Sequence, residues 1–304
     1  MARRSAFHAV ALALLACVAA CGVEPAVSTH VPTSAAPARP TLTYLGVAGW
    51  QLRSSAGTLL VDPYVTRAAG EDESAPLVPN AEAIAAYIPL RADVVLVGHS
   101  HYDHLLDVPD VAKRTGALVV GTESTANVAR ASGLRAERVR VVHGGDALQV
   151  GPFAVRVVSG LHSLTGQPNV PIPSDIHLPM VPGGYGEGGT LQYLVKLEGH
   201  TILFVGTANF IEEEVTGLRP DIAVIAIGLR QKIPDYTCRL LRALGRPKLV
   251  FPNHFDAHRE PLRDGKIESS PDTRAELDAF AKEVQSCAPG TRVVVPVHLV
   301  PNEI

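Results

Sequence analysis

The segment Gly98-His99-Ser100-His101-Tyr102-Asp103-His104 places three imidazoles and a carboxylate within six residues. In extended chain, side chains two residues apart point to the same side, which pairs His99 with His101. The chain must turn before the helix expected from residue 108, and that turn lets Asp103 and His104 reach a neighbouring point. Burying so many ionisable groups is costly unless a cation satisfies them, and imidazole is the commonest metal ligand. A solvated His-rich loop is the bland alternative. The run Val94-Val95-Leu96-Val97 directly before the motif argues against it, because a fully apolar run of this length has the character of a strand buried on both faces.

The elements that must position these groups are legible as short runs. Residues 41–47, 50–53 and 58–61 are strand-like and separated by Gly and Ser, and Asp62-Pro63 closes the third, since proline cannot continue a central ladder. Further apolar runs fall at 118–120, 139–142, 155–158, 191–197, 201–205, 222–227, 249–251 and 293–297. Helical patterns fall at 80–87, 108–114, 124–131, 236–244 and 272–284, and the acidic run Glu212-Glu213-Glu214 suits a helix N-terminus. Strands dominate the first half and alternate with helices in the second, so the class is α/β. No linker-like stretch follows Thr41, so residues 41–304 are expected to form one domain.

Composition narrows the function classes. The chain has 304 residues, 46% hydrophobic and 19% charged, an ordinary globular balance that excludes a disordered or collagen-like chain. A net charge of -3 lacks the basic excess of a nucleic-acid binder, so no nucleic-acid partner is expected. Four Cys do not build a disulfide scaffold, whereas 12 His invite a metal site. Residues 1–20 have the charged start and apolar run of a secretory signal, too short to span a bilayer. Val18-Ala19-Ala20-Cys21 resembles a bacterial lipobox, which would make Cys21 the lipidated first residue, residues 21–40 a Pro-rich flexible tether, and the protein an exported, lipid-anchored component of a bacterial envelope with a membrane partner.

The central segment resembles the HxHxDH signature of the metallo-β-lactamase superfamily, and the resemblance extends in order over most of the domain. Tyr44-Leu45-Gly46-Val47-Ala48-Gly49-Trp50-Gln51-Leu52 and Leu59-Leu60-Val61-Asp62-Pro63 are similar to the opening strands of the branch that holds ascorbate-6-phosphate lactonase-like and phospholipase-D-like hydrolases. The resemblance implies a four-layer αββα sandwich of two similar halves, with metals at one edge of the sheets. It implies that His162, in Gly160-Leu161-His162-Ser163, completes a first site with His99 and His101. It likewise implies a second site of Asp103, His104 and His254, the last in Pro252-Asn253-His254. Asp62 would orient ligands from outside the coordination sphere. The chemistry implied is hydrolysis by metal-bound hydroxide on an ester, lactone or phosphodiester-type substrate, with Asp103 orienting the nucleophile. Five imidazoles and a carboxylate suit zinc, or iron or manganese, better than magnesium or calcium.

The resemblance breaks at one position. The family places a metal-bridging Asp in a Gly-Asp-Thr/Ser piece, but here the sequence is Gly206-Thr207-Ala208-Asn209, with Thr207 where the acid belongs. Asn209 is then a candidate neutral oxygen. One tight and one weaker ion are the expectation. The missing acid also keeps open a non-catalytic metal- or ligand-binding envelope lipoprotein of this fold, and the export signal keeps open a β-lactam hydrolase. The Pro-rich, Gly-ended stretch 167–189 is expected to be a lid or binding loop, with His177, Met180 and Tyr185 as substrate contacts. Asp256 and His258 could line the same mouth, with solvation the favoured reading of His258. Cys238 and Cys287 are either a disulfide or two buried thiols.

Overall fold

Short apolar runs bury their side chains only if their backbone groups find partners, and here they pair into two sheets. The computed structural model describes residues 39–68, 72–166, 169–260, 262, 267 and 270–304. The signal segment, Cys21 and the tether up to residue 38 lie outside the described residues.

In the first sheet β1 (Thr41–Gly46), β2 (Gly49–Arg53) and β3 (Thr58–Val61) run antiparallel, and β4 (Val94–Leu96), β5 (Leu118–Gly121) and β6 (Val139–Val141) continue from β3 in parallel. In the second sheet β7 (Ala147–Val150), β8 (Phe153–Ser159), β9 (Leu191–Leu197) and β10 (His200–Val205) run antiparallel. There β11 (Ile222–Ala226), β12 (Leu249–Asn253) and β13 (Arg292–Val293) continue in parallel. The last strand, β14 (Pro301–Glu303), returns to the first sheet beside β1. Each half therefore repeats one succession, antiparallel strands and then parallel ones.

Side-chain alternation makes the layers. Leu59 and Val61 of β3 face Phe204, Val224 and Phe251 of the second sheet, whereas Leu60 faces the other way. On that outer side Leu60, Val95 and Val119 pack under α1 (Ala81–Tyr87), α3 (Val108–Thr115) and α4 (Glu123–Ala131), while the short α2 (Tyr102–Leu105) belongs to the motif turn. On the far side Leu203, Ile225 and Val250 pack under α6 (Tyr236–Ala243) and α7 (Pro271–Cys287), with α5 (Glu212–Val215) beside them. The result is the expected αββα sandwich. Its helices are bounded by local chemistry. Ser270 accepts from Thr273 N at the start of α7 with Pro271 in the first turn, and Gly116 ends α3 in the left-handed conformation.

One expectation changes, one strand is added and one open alternative closes. The run 293–297 supplies only Arg292–Val293 as strand, because Pro296 has no N–H to give a ladder and Val295 and Val297 are exposed. The strand β7 was not legible, since only Leu148 of its four residues is buried. Cys238 and Cys287, for which two readings were open, form a disulfide joining α6 to α7 with Cα atoms 5.5 Å apart. Among the described residues no helix is long and apolar enough to cross a membrane.

Candidate metal centre

Strand ends deliver the ionisable groups to one rim of the sandwich. The buried strand β4 runs out through Val97 and Gly98 into His99, and α2 carries Asp103 and His104 one turn later. His162 follows β8, and His254 follows β12. His99 Nε2 lies 3.1 Å from His101 Nδ1 and 3.2 Å from His162 Nε2, so three ring nitrogens converge on one point. Beside them Asp103 Oδ2 lies 3.3 Å from His254 Nε2 and 3.9 Å from His104 Nε2. Within donor reach of one another are His99, His101 and His162, and separately His99, Asp103 and His104.

The donor set fits a cation. His104 Nε2 is buried without a hydrogen-bond partner among the described residues, and so is His99 Nδ1. Buried polar atoms left in this way are rare and call for an explanation. Burial, and then the neighbouring imidazoles His104, His162 and His101, hold His99 well below its ordinary range. Burial also lowers His101, and it lowers His162 to about 4 with His101 and His104 adding to the effect. Neutral imidazoles are the form that coordinates metal. Burial alone would raise Asp103, but the charge of His104 and the hydrogen bond and charge of His254 bring it well below the carboxylate range.

Asp62 is the support the sequence suggested. It is fully buried at the end of β3, and its Oδ2 accepts from His104 Nδ1 at 2.9 Å while its Oδ1 accepts from Gly98 N at 2.7 Å. One carboxylate thus fixes the tautomer of His104 and the path of the chain into His99. Two glycines make room for it: a Cβ on Gly98 would stand 2.9 Å, and one on Gly206 3.0 Å, from Asp62 Oδ2. Asp62 and His254 themselves sit at φ 41 and φ 51, in the left-handed region that few non-glycine residues adopt. The His254 backbone is held there by its N–H, which donates to Val47 O at 2.8 Å. The expected outcome of Asp62→Asn is a folded protein whose metal affinity falls about 10- to 100-fold, checked by competitive chelator titration.

Thr207 and Asn209 behave differently from a bridge. Thr207 Oγ1 accepts from Ser163 N at 3.0 Å, and Asn209 Nδ2 donates to His162 O at 3.0 Å. Asn209 Oδ1, expected as a replacement ligand, instead accepts from Phe210 N at 2.9 Å. Both residues therefore pin the turn that carries His162, an arrangement that no spacing rule reveals.

The centre opens into a cleft of about 1110 Å³. Its wall includes Val170, Pro171, Pro173 and Pro182–Gly186 from the stretch after His162. Of the two expectations, lid or binding loop, the described residues of the stretch agree with the loop: they line the cleft as a pinned wall. Ile172 N donates to Ser124 Oγ at 2.9 Å, Asn127 donates to Ile172 O at 2.9 Å, and Ser100 N donates to Glu187 O at 2.8 Å. His177 is exposed and does not line the cleft, because the segment turns outward there. Met180 packs instead into the helix-side core near Leu77. Tyr185 does line the cleft, and burial, with Asp107 adding, raises its phenol to about 12. His258 was expected to be solvated. It lines the cleft with its ring centroid 5.7 Å from that of Tyr102, and burial lowers its pKa. Asp256 lines the cleft as expected, but its carboxylate accepts from Arg67 at 2.7 Å, from Val47 N at 2.9 Å and from the Tyr44 hydroxyl.

Comparison with known proteins agrees with this fold. A UPF0173 metal-dependent hydrolase of Polynucleobacter asymbioticus is 29% identical over 280 residues, covering 87% of this chain and 90% of that protein. One from Methanosarcina mazei is 24% identical over 252 residues, covering 80% and 97%. Among solved structures, the metallo hydrolase Igni18 of Ignicoccus hospitalis superposes with a TM-score of 0.57 at 18% identity, covering 87% of this chain and 99% of that one, which speaks to the fold. The family described as Beta-lactamase superfamily domain matches residues 41–254, the span from β1 to the last of the clustered histidines, and the chain belongs to that family.

Proposed function

We propose that this chain is a metal-dependent hydrolase acting on a small ester, lactone or phosphodiester-type substrate. The observation that carries the reading is the approach of His101 Nδ1 and His162 Nε2 to 3.1 and 3.2 Å from His99 Nε2, in a cleft large enough for a small molecule. Relatives named metal-dependent hydrolases support it. In this reading His99, His101 and His162 hold the tighter ion, and Asp103, His104 and His254 face a weaker one. Zinc fits this donor set best, ahead of iron and manganese. A divalent ion held there would supply an activated water, its pKa lowered towards about 7, and polarisation of the scissile bond.

The chain's own groups supply the rest. Asp103, held ionised by His104 and His254, is the acceptor placed to orient a water proton. Asp62 fixes His104, and Thr207 and Asn209 fix the turn of His162. A panel of esters, lactones and phosphodiesters assayed with zinc, manganese and iron tests the reading. Turnover that a chelator abolishes and metal restores supports it; turnover indifferent to metal, or none on any substrate, contradicts it.

We also propose export and acylation at Cys21, on the strength of the segment Val18-Ala19-Ala20-Cys21. Metabolic labelling with a fatty acid is expected to mark the parent and not Cys21→Ala. Equal labelling of both would end this proposal.

A further inference from the structure

Three non-glycine residues in the left-handed region meet beside the second group of donors. Val47 sits at φ 54, Arg67 at φ 47 and His254 at φ 51. For a β-branched residue such as Val47 that region is costly, and strain of this kind persists only where the surroundings over-determine it. Here they do. Val47 O accepts from His254 N at 2.8 Å, and Val47 N donates to Asp256 Oδ1 at 2.9 Å. The same carboxylate accepts from the Tyr44 hydroxyl, and its Oδ2 accepts from Arg67 Nη1 at 2.7 Å.

Arg67 carries the arrangement further. Its Nε donates to Glu260 O at 2.6 Å and its Nη2 to Ala257 O. One guanidinium thus holds a side chain and two carbonyls of the segment that leaves His254. Arg67 is 4% exposed and Asp256 7%. Gly46, at φ 103, leaves the space, since a Cβ there would stand 2.8 Å from Arg67 Nη1. A buried ion pair is a weak source of stability, because desolvating both charges offsets their attraction. What this pair fixes is place. Val47 and Arg67 follow β1 and β3 of the first sheet, whereas His254 and Asp256 follow β12 of the second. The pair therefore joins the two halves where His254 Nε2 must reach Asp103 Oδ2, 3.3 Å away. The turn of His162 is held by other groups, Thr207 and Asn209.

We propose that Arg67, acting through Asp256, is a positioning residue for the second, weaker ion. It sets where His254 stands against Asp103 and His104, and it leaves the three-histidine site alone. The inference rests on the two-site reading above and adds to it a residue from outside the donor set.

The test titrates zinc into the full-length protein, stripped of metal, against a chromophoric chelator that reports each step. The parent is expected to take up one ion tightly and a second more weakly. Arg67→Met keeps much of the side chain's length and removes the fork. It is expected to weaken the second step about 10- to 100-fold, the range for losing a support of a ligand, and to leave the first step unchanged. It also strands the Asp256 carboxylate, so its Tm should fall. Arg67→Met combined with Asp256→Asn leaves no charge unpaired, so its Tm should return towards that of the parent while the second step stays weak. A merely structural pair would not separate affinity from stability in this way, and the double variant decides even where the single one is too unstable to load. Recovery of the second step together with Tm in the double variant would overturn the inference and leave the two-site reading standing. Equal weakening of both steps in a folded variant would do the same. A parent that binds a single ion at any zinc concentration would remove the two-site reading and the inference with it.

Discussion

His99→Ala and His101→Ala are each expected to lose the tightly held ion and, with it, measurable turnover. His99 is 1% exposed, and its Nε2 is the atom that both other ring nitrogens approach, at 3.1 and 3.2 Å. Deleting its ring removes one of three donors and leaves a hole between His101 and His162 that no other side chain fills. The loss of affinity should exceed the roughly 10- to 100-fold that follows from removing an outer support such as Asp62. Because the His101 ring is less buried, His101→Ala should fold with nearly parental stability. That makes it the cleaner probe, read by metal content after gel filtration and by kcat/KM on whichever ester the parent turns over. Unchanged turnover in both variants would place the activity elsewhere.

The second large effect is in the core. Trp50→Ala is expected to cost about 3–5 kcal/mol, the range for deleting a fully buried aromatic side chain. Trp50 is 0% exposed between the sheets, with ring centroids 5.1 Å from Tyr44 and 5.5 Å from Phe251. Its indole N–H donates to Asn253 Oδ1 at 2.9 Å, and Asn253 directly precedes His254. Trp50→Phe separates the two roles. It keeps most of the apolar volume but strands the buried Asn253 oxygen, for about 1–3 kcal/mol. Urea unfolding measures both. A loss below about 1 kcal/mol for the alanine variant would mean that the two sheets do not pack through this residue.

The site was legible in the sequence where its geometry is local. The motif from His99 to His104 lies on one strand end and one helical turn, so alternation along a strand and a short turn are enough to place its donors. His162 and His254 were reached only through the family resemblance, because their approach is set by the pairing of β8 and β12 with distant strands. Asp62 was readable as a strand-end acid, but its double role depends on the space left by Gly98 and Gly206, the latter directly after β10 of the other sheet. The pinning of the stretch after His162 was not legible at all, since it runs through Ser124, Asn127 and Ser100, whose side chains or backbone carry no local signal for it. The layers were readable from apolar runs, while β7 failed because three of its four residues face water or the rim.

The central claim is a tight three-histidine site beside a second, weaker one that lacks a bridging acid. Two divalent ions bring four positive charges, and roughly 3.5–4 Å between them is typical of paired sites. Among the described residues Asp103 is the carboxylate that shares a candidate ligand set with the histidines, and Thr207 is engaged with Ser163 N instead of supplying a second. Metal analysis of the full-length protein after exhaustive dialysis tests this most directly. One divalent ion is expected to be retained per chain, with a second bound only when metal is added in excess. Two ions retained with equal tenacity would contradict it.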